Sequence, residues 1–468
     1  MNCFLGVYRE EDLSLFTDFY ELTMCAAYFD NKNFESVTFD LFVRRLPENR
    51  SYFLFTGLEQ VLSYLQGIKF GEQHLAYLRQ QGFSEQFLAY LRDFKFTGDV
   101  WAVPEGTVAF PNEPLVRVTA PIIEAQIVET FLLNTVNLQT TMSTKASRVV
   151  YAAKDKSVIE FGLRREHGID AGMKVARSGY IAGCMGTSNV LAGMVYGIPV
   201  FGTMAHSFIM AYPRELDAFR AFAKTFPDNS TLLIDTYDDL AGLEKAIIVA
   251  KELEAKGFQL GGVRLDSGDL IENSKRIRKL LDDNGLKYVK IFVSGDLDEF
   301  RIAELLSKGA EVDSFGVGTK MGTSSDRPYL DVIYKLCEAM TAPDVYSPVM
   351  RLSTDKLTLP GRKQVYRYTD FDGNYVRDVI ALASEEIEAD AEPLLVNVMS
   401  GGKLTYALPS LSQIRAFASE NLSKLPEKYK SIIEAETYPV VLSKNLQTLS
   451  KTLREKITEN EINHPNNV

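Results

Sequence analysis

His206 lies in VFGTMAHSF, residues 200–208, directly after an apolar, strand-like run and inside a turn of small residues. The chain has only 4 histidines, and an imidazole in such a place has two readings. One is a packed, hydrogen-bonded core residue. The other is a group that a strand end delivers to a ligand. Asp235, in LLIDTYDD, favours the second, because it falls at what would be the adjacent strand end. A carboxylate there would orient the ring and stabilise its cationic form. An oriented imidazole acts as a general base or as a nucleophile that takes up a phosphoryl group. No serine or cysteine nucleophile pattern accompanies it, and the GxSxG elbow is absent, which favours phosphoryl over acyl chemistry.

Other apolar runs end in equally polar residues. EFGLRR carries Phe161, Arg164 and Arg165; RLDSGD carries Arg264, Asp266, Ser267 and Asp269; SGD carries Gly295 and Asp296; FGVGTK carries Gly318 and Thr319. Arginines beside glycine-flanked amides suit phosphate oxygens, since a guanidinium binds bidentately and glycine lets the main chain come close. Aspartates among them suit ribose hydroxyls or a magnesium ion (Mg2+) bound through one or two carboxylates plus substrate phosphates. The mixture points to a phosphorylated sugar with magnesium. Each motif also has a plain structural reading. FGVGTK lacks the Walker A and dinucleotide spacings and could be a tight turn. RLDSGD reads as a helix start with Ser267 or Asp266 as cap and Asp269 in the first turn. TDFYELTM, residues 17–24, starts a helix with Thr17 or Asp18 as cap, and its first turn projects Tyr20. Tyr20 and Phe161 are two aromatic faces between which a planar heteroaromatic ring could sit.

The elements that must position these residues follow a rhythm. VIEFGLRR, VFGTMAHS, LLIDTYDD, GGVRLDSGD, IFVSGD and SFGVGTK end at intervals of 42, 32, 31, 30 and 22 residues, with helical stretches between them. Repeated strand-helix units of that length imply parallel strands joined by crossover helices. A doubly wound sheet and a (β/α) barrel both fit, and the barrel is preferred because it gathers every strand end at one mouth. The fold class is therefore α/β. An N-terminal α/β domain is expected over residues 1–145, with helices in FTDFYELTMCAAYF and FTGLEQVLSYLQGI, a strand pair in SVTFDLFVRRLP, and further β-structure in PEGTVAFPNEPLVRVTAP. An irregular, barrel-like catalytic domain is expected over 146–346. Residues 347–468 should pack back on the N-terminal domain, through a hairpin turning near Asp372-Gly373 and a tail helix with a frayed end.

A chain of 468 residues, 46% hydrophobic and 24% charged, is long enough for two or three cores. Its net charge of -11 argues against a nucleic-acid groove or an anionic membrane as the main partner. No apolar run approaches a membrane span, and MNCFLGVYREEDLS has no basic region followed by an apolar core, so a cytoplasmic protein is expected. Cys3, Cys25, Cys184 and Cys337 are scattered and read as reduced thiols.

TDFYELTM, EFGLRR, GTSNVLAG, GTMAHSF, LIDTYD, RLDSGD, SGDLDE, FGVGTK and LPGRKQVYR occur in the order seen in nicotinate phosphoribosyltransferases, and from about residue 10 to 380 the chain resembles that family. The resemblance implies a type II phosphoribosyltransferase fold, in which C-terminal residues complete an N-terminal α/β domain beside an irregular barrel. It implies a homodimer with shared active sites. The implied reaction joins nicotinate to phosphoribosyl pyrophosphate, giving nicotinate mononucleotide and pyrophosphate with ATP hydrolysis, in NAD salvage. By the same resemblance His206 is phosphorylated by ATP and Asp235 steadies it. Phe161 and Tyr20 are the ring walls, Tyr20 reaching in from the partner subunit. Arg164 stands by the substrate ring, Arg264 and Asp266 hold sugar and pyrophosphate, and Gly295, Asp296, Gly318 and Thr319 cradle the 5′-phosphate. Lys356, Arg362 and Lys363 form a basic run that a solvated loop explains nearly as well. A nicotinamide-specific relative would carry an aspartate near Ser188-Asn189, where a neutral pair favours the acid. Quinolinate phosphoribosyltransferases lack the histidine motif. A non-catalytic sensor of nicotinate or a phosphosugar is the alternative from another class.

Overall fold

The computed structural model describes residues 9–353, 356–388 and 390–463. Cys3, the first residues of MNCFLGVYREEDLS and the expected frayed end at 464–468 lie outside them. The chain forms two compact units, Met1–Thr140 with Tyr329–Val468, and Thr141–Pro328.

In the first unit a seven-stranded sheet runs in the order Val345–Pro348, Val332–Ala342, Ser36–Val43, Val116–Pro121, Asp99–Ala102, Val396–Ser400, Lys403–Leu404. Every neighbouring pair is antiparallel. N- and C-terminal segments thus interleave in one sheet. SVTFDLFVRRLP, expected as a strand pair, forms the single strand Ser36–Val43. It has no turn residue between its halves, and both its partners come from distant segments. Residues 37–43 are all buried, which an antiparallel strand shows only when both faces are covered. The hairpin near Asp372-Gly373 forms between Lys363–Thr369 and Tyr375–Leu382, with Gly373 at φ +83°. The tail is helical over Lys444–Ile457.

The basic run at 356–363 splits up. Lys363 is buried, and its ammonium meets Asp40 Oδ2 at 2.8 Å and donates to Leu359 O at 2.9 Å and Gly361 O at 2.5 Å. The ammonium is therefore held by one ion pair and two carbonyls, which offset the cost of burying its charge. Arg362 is ion-paired with Glu338 and lies over the Tyr346 ring, while Lys356 stays exposed. A solvated loop does not describe Lys363.

In the second unit six parallel strands run in the order Gly186–Thr187, Ser157–Glu160, Ser314–Val317, Lys290–Val293, Gly262–Leu265, Thr231–Leu233. Successive residues Ile291, Phe292 and Val293 are buried, so this sheet too is covered on both faces. Four of the helices after the strands start on side-chain caps. Asn189 accepts from Ala192 N, Asp238 from Ala241 N, and Asp298 from Arg301 N. In RLDSGD the cap is Asp269, not Ser267 or Asp266: its Oδ1 accepts from Ile271 N at 3.1 Å and Glu272 N at 3.3 Å. That leaves Asp266 for other work.

The sheet is open, and no closed barrel forms among the described residues. VFGTMAHS, expected as a strand, makes one isolated parallel bridge, Thr187↔Val200. Pro199 has no N–H to extend that ladder, and the chain turns into the short helix His206–Met210. The unforeseen strand is Gly186–Thr187. None of the described helices is long and apolar enough to cross a membrane.

Candidate active site

Parallel strands gather their C-terminal ends on one side of a sheet, which is where α/β folds bind ligands. Here a pocket of about 460 Å³ lies within the second unit, and Phe161, Arg164, Ser188, His206, Arg264 and Asp266 line it together with Leu163, Met204, Ala205, Ser207 and Leu233. Residues chosen from four separate motifs thus meet at one cavity.

Phe161 follows the strand Ser157–Glu160 and stands edge-on to Phe292, with ring centroids 5.4 Å apart and planes at 76°. Gly316 makes room for both rings: a Cβ there would stand 2.6 Å from Phe292 and 2.9 Å from Phe161. Arg164, on the short helical turn Leu163–Arg165, is exposed and makes no hydrogen bond or ion pair with the described residues. Its fork is free for an anionic ligand.

Arg264 is the opposite case. It donates from Nε to Ser294 Oγ at 2.8 Å, from Nη1 to Thr203 Oγ1 and Met204 O, both at 3.2 Å, and from Nη2 to Asp266 Oδ1 at 2.8 Å. The backbone ladder does not join residues 203–204 to the strand Gly262–Leu265, so this side chain does. Burial pushes the Asp266 carboxyl up, but hydrogen bonds from Ser294 and Arg264 outweigh it and hold the pKa below the ordinary range. Asp266 is therefore a fixed anion on the pocket wall.

His206 Nδ1 lies 3.1 Å from Thr236 Oγ1. With Nδ1 taken as the protonated nitrogen, Nε2 keeps its lone pair and has no partner among the described residues. Asp235 is engaged differently from the direct ring contact expected of it. Its Oδ2 accepts from Asp266 N at 2.9 Å and Ser267 Oγ at 2.7 Å, while its Oδ1 is buried without a hydrogen bond from the described residues. Ser188 lines the pocket. Asn189, 3% exposed, caps its own helix and donates to Gly172 O at 3.1 Å, so its amide is already used.

Gly295, Asp296, Gly318 and Thr319 stand at the neighbouring strand ends, outside that lining. Gly295 sits at φ +95°, and a Cβ there would lie 2.1 Å from Asp266 O, so only glycine lets the two strand ends come so close. Asp296 pairs at 3.2 Å with Lys320, which also meets Asp298 at 3.2 Å. Gly318 lies against Phe161 O, which a Cβ would approach to 3.0 Å. Tyr20 belongs to the first unit, where it is 51% exposed on the helix Phe19–Asp30.

The sequence reading missed the neutral partners. Thr236 and Ser294 each adjoin a chosen aspartate or glycine in LIDTYD and VSGD, and a hydroxyl beside a charged strand end was the available signal.

An open parallel sheet with a free guanidinium, an oriented imidazole and an anchored carboxylate around one pocket is an α/β enzyme site for a small anionic ligand. Comparison with known proteins narrows the class. The nicotinate phosphoribosyltransferase family model matches residues 157–349, and the family's N-terminal and C-terminal domain models match 15–137 and 387–450. A nicotinate phosphoribosyltransferase of Mycobacterium tuberculosis is 47% identical over 438 residues, which cover 93% of this chain and 92% of the relative. One from Bacillus subtilis is 40% identical, with 94% of each chain covered. The crystal structure of the human nicotinic acid phosphoribosyltransferase superposes with a TM-score of 0.84 at 30% identity, over 93% of this chain and 99% of that one. The chain belongs to the nicotinate phosphoribosyltransferase family.

Proposed function

We propose that this protein is an enzyme that joins nicotinate to phosphoribosyl pyrophosphate, forming nicotinate mononucleotide and pyrophosphate in NAD salvage, with ATP consumed through a transient phosphate on His206. The observation that carries the reading is the unpaired Arg164 beside Phe161 on the wall of the pocket that also holds His206. A guanidinium beside an aromatic face suits a flat ring bearing a carboxylate. Ser188 adds a neutral group, so nothing there repels the acid as an aspartate would.

The ring nitrogen of nicotinate attacks the anomeric carbon as its bond to pyrophosphate oxygen breaks. That nitrogen already has a free lone pair, so no base is needed, and the protein's task is to position the reactants and balance charge. Asp266 faces the sugar as a fixed anion, where positive charge develops. Arg264 holds Asp266 and the segment leading to His206. In the coupling step His206 Nε2 attacks the terminal phosphorus of ATP and ADP leaves; water later hydrolyses the phosphohistidine. Gly295, Asp296, Gly318 and Thr319 form the 5′-phosphate cradle, and Asp235 steadies the His206 side of the pocket through Ser267 and the Asp266 amide.

Magnesium fits as the counter-ion of the pyrophosphate. No three His, Cys, Asp or Glu side chains cluster to cage an ion among the described residues, and Asp235 Oδ1 has no hydrogen bond. When bound, the metal supplies charge neutralisation on the leaving group. We infer a homodimer with shared active sites, in which Tyr20 serves the partner's pocket. The exposed Val190, Leu191, Met194 and Val195 on the helix Val190–Tyr196 support an interface near Ser188. Among the described residues Cys25, Cys184 and Cys337 are buried and form no disulfide, which suits a cytoplasmic enzyme.

The test is a discontinuous assay with phosphoribosyl pyrophosphate, magnesium and either nicotinate or nicotinamide, with and without ATP. Nicotinate mononucleotide formed faster with ATP is the expected result. Product from nicotinamide alone would overturn the specificity, and nicotinate binding without turnover would make the protein a sensor.

A further inference from the structure

The stretch EFGLRRE, which carries Phe161 and Arg164, begins and ends in glutamates, and both carboxyls are inside the protein. Glu160 is 1% exposed and accepts from Thr187 Oγ1 at 2.5 Å and from Gly162 N–H. Both carboxyl oxygens of Glu166 are buried and receive no N–H or O–H from a neutral or cationic group among the described residues. Among the described residues it hydrogen-bonds with the carboxyl of Glu160. Two carboxyls in contact away from water hold a proton between them, because a second negative charge there has nothing to balance it. Burial, then the charge of Glu160, push the Glu166 carboxyl up to about 9, so the pair keeps one proton at neutral pH.

Missing side chains shape the space around it. A Cβ on Gly162 or Gly322 would stand 2.6 Å from Glu166 Oε1, and one on Gly172 would stand 3.1 Å from Oε2. These glycines lie in the Phe161 loop, the turn Thr319–Gly322 and the helix Ile169–Ile181. Among the charged groups on those elements, Arg164, Arg165 and His167 are exposed. Lys174 is paired with Asp170 at 2.7 Å, and Lys320 with Asp296 and Asp298 at 3.2 Å. Arg177 is buried on the helix, yet Glu160 is the charge that acts on Glu166.

We propose that the Glu160–Glu166 pair is a positioning device: with one shared proton it latches the loop bearing Phe161 and Arg164 against the Thr319–Gly322 turn and the Ile169–Ile181 helix. The inference rests on reading Phe161 and Arg164 as the ring-binding residues. Loss of the proton puts two carboxylates together and releases the loop, which weakens nicotinate binding before it touches the chemical step.

The experiment measures KM for nicotinate from pH 7 to 10 at saturating phosphoribosyl pyrophosphate, in wild type, Glu166→Gln and Phe161→Ala. Wild type should show KM rising about tenfold between pH 8 and 10, the consequence of one proton lost near 9, with kcat changing much less. Glu166→Gln offers Glu160 an amide donor with no proton to lose, so its KM should stay flat. Should that variant fail to fold, Glu166→Ala gives the same comparison, with a raised but pH-independent KM. A flat wild-type profile, or the same alkaline rise in the Glu166 variants, overturns the proposal. Phe161→Ala separates the two readings. An unchanged KM at pH 7 sinks the ring-wall assignment, whereas a raised KM beside a flat wild-type profile sinks only the latch.

Discussion

Arg264→Lys keeps the positive charge beside Asp266 and removes the fork. A single ammonium can stay near Asp266 Oδ1 but cannot also serve Ser294 Oγ, Thr203 Oγ1 and Met204 O, which lie in other directions around the guanidinium. Each lost bond is worth about 0.5–1.5 kcal/mol net, so the three together come to about 3 kcal/mol. The arginine side chain is only 16% exposed, so water replaces these bonds poorly. For a unit of this size about 1 kcal/mol moves the melting temperature by roughly 2–4 °C, which predicts a drop of roughly 6–12 °C. Thr203 and Met204 also lead directly into His206, so the imidazole loses its tether. A misplacement on the order of 1 Å costs on the order of 100-fold in turnover. Thermal melting by circular dichroism and steady-state nicotinate mononucleotide formation read both effects. A variant that melts within about 1 °C of wild type and turns over at the same rate would refute the claim that this guanidinium joins the open edge of the sheet.

Three further outcomes follow from local geometry. Gly295→Ala puts a Cβ into Asp266 O at a φ of +95°, and should lower stability by more than about 1–3 kcal/mol, read by urea unfolding, with activity falling alongside. Lys363→Met strands Asp40 in the core and should cost about 3–5 kcal/mol; adding Asp40→Asn should recover most of it, and failure to recover would mean the ion pair is not what the site needs. Arg164→Ala should raise KM for nicotinate by roughly 10- to 100-fold, the loss of about 1.5–3 kcal/mol from a charged hydrogen bond, while leaving nicotinamide affinity almost unchanged. Equal losses for acid and amide would separate Arg164 from the carboxylate.

Much of the second unit was legible because its strands are short apolar runs at an even spacing, each closed by polar residues. Five of the six expected runs are strands of one parallel sheet. The sixth was misread because PVFG is as apolar as its neighbours, whereas pairing depends on an N–H that Pro199 lacks. Gly186–Thr187 was invisible for the converse reason: two small residues carry no hydrophobic period, and backbone bonds to Ile159 and Glu160 define them. Candidate residues with charges, Arg164, His206, Arg264 and Asp266, converge on one pocket as their motifs suggested. What the motifs did not reveal is which groups are free. Arg164 and Arg264 look alike in sequence, yet one is unpaired and the other is held at four acceptors. Lys363 looked like part of a basic loop because its partner, Asp40, lies more than 300 residues away. Long-range pairing of that kind leaves no local pattern.

The central claim is that His206 carries a phosphate from ATP during nicotinate phosphoribosyl transfer. The most direct measurement mixes the protein with ATP labelled in its terminal phosphate, stops the reaction within a turnover, and maps the labelled peptide. The account predicts acid-labile, alkali-stable label on the peptide containing His206, discharged during turnover with nicotinate and phosphoribosyl pyrophosphate and absent from His206→Ala. Equal labelling of the His206→Ala protein, or ATP-stimulated turnover in that variant at the wild-type rate, would contradict it.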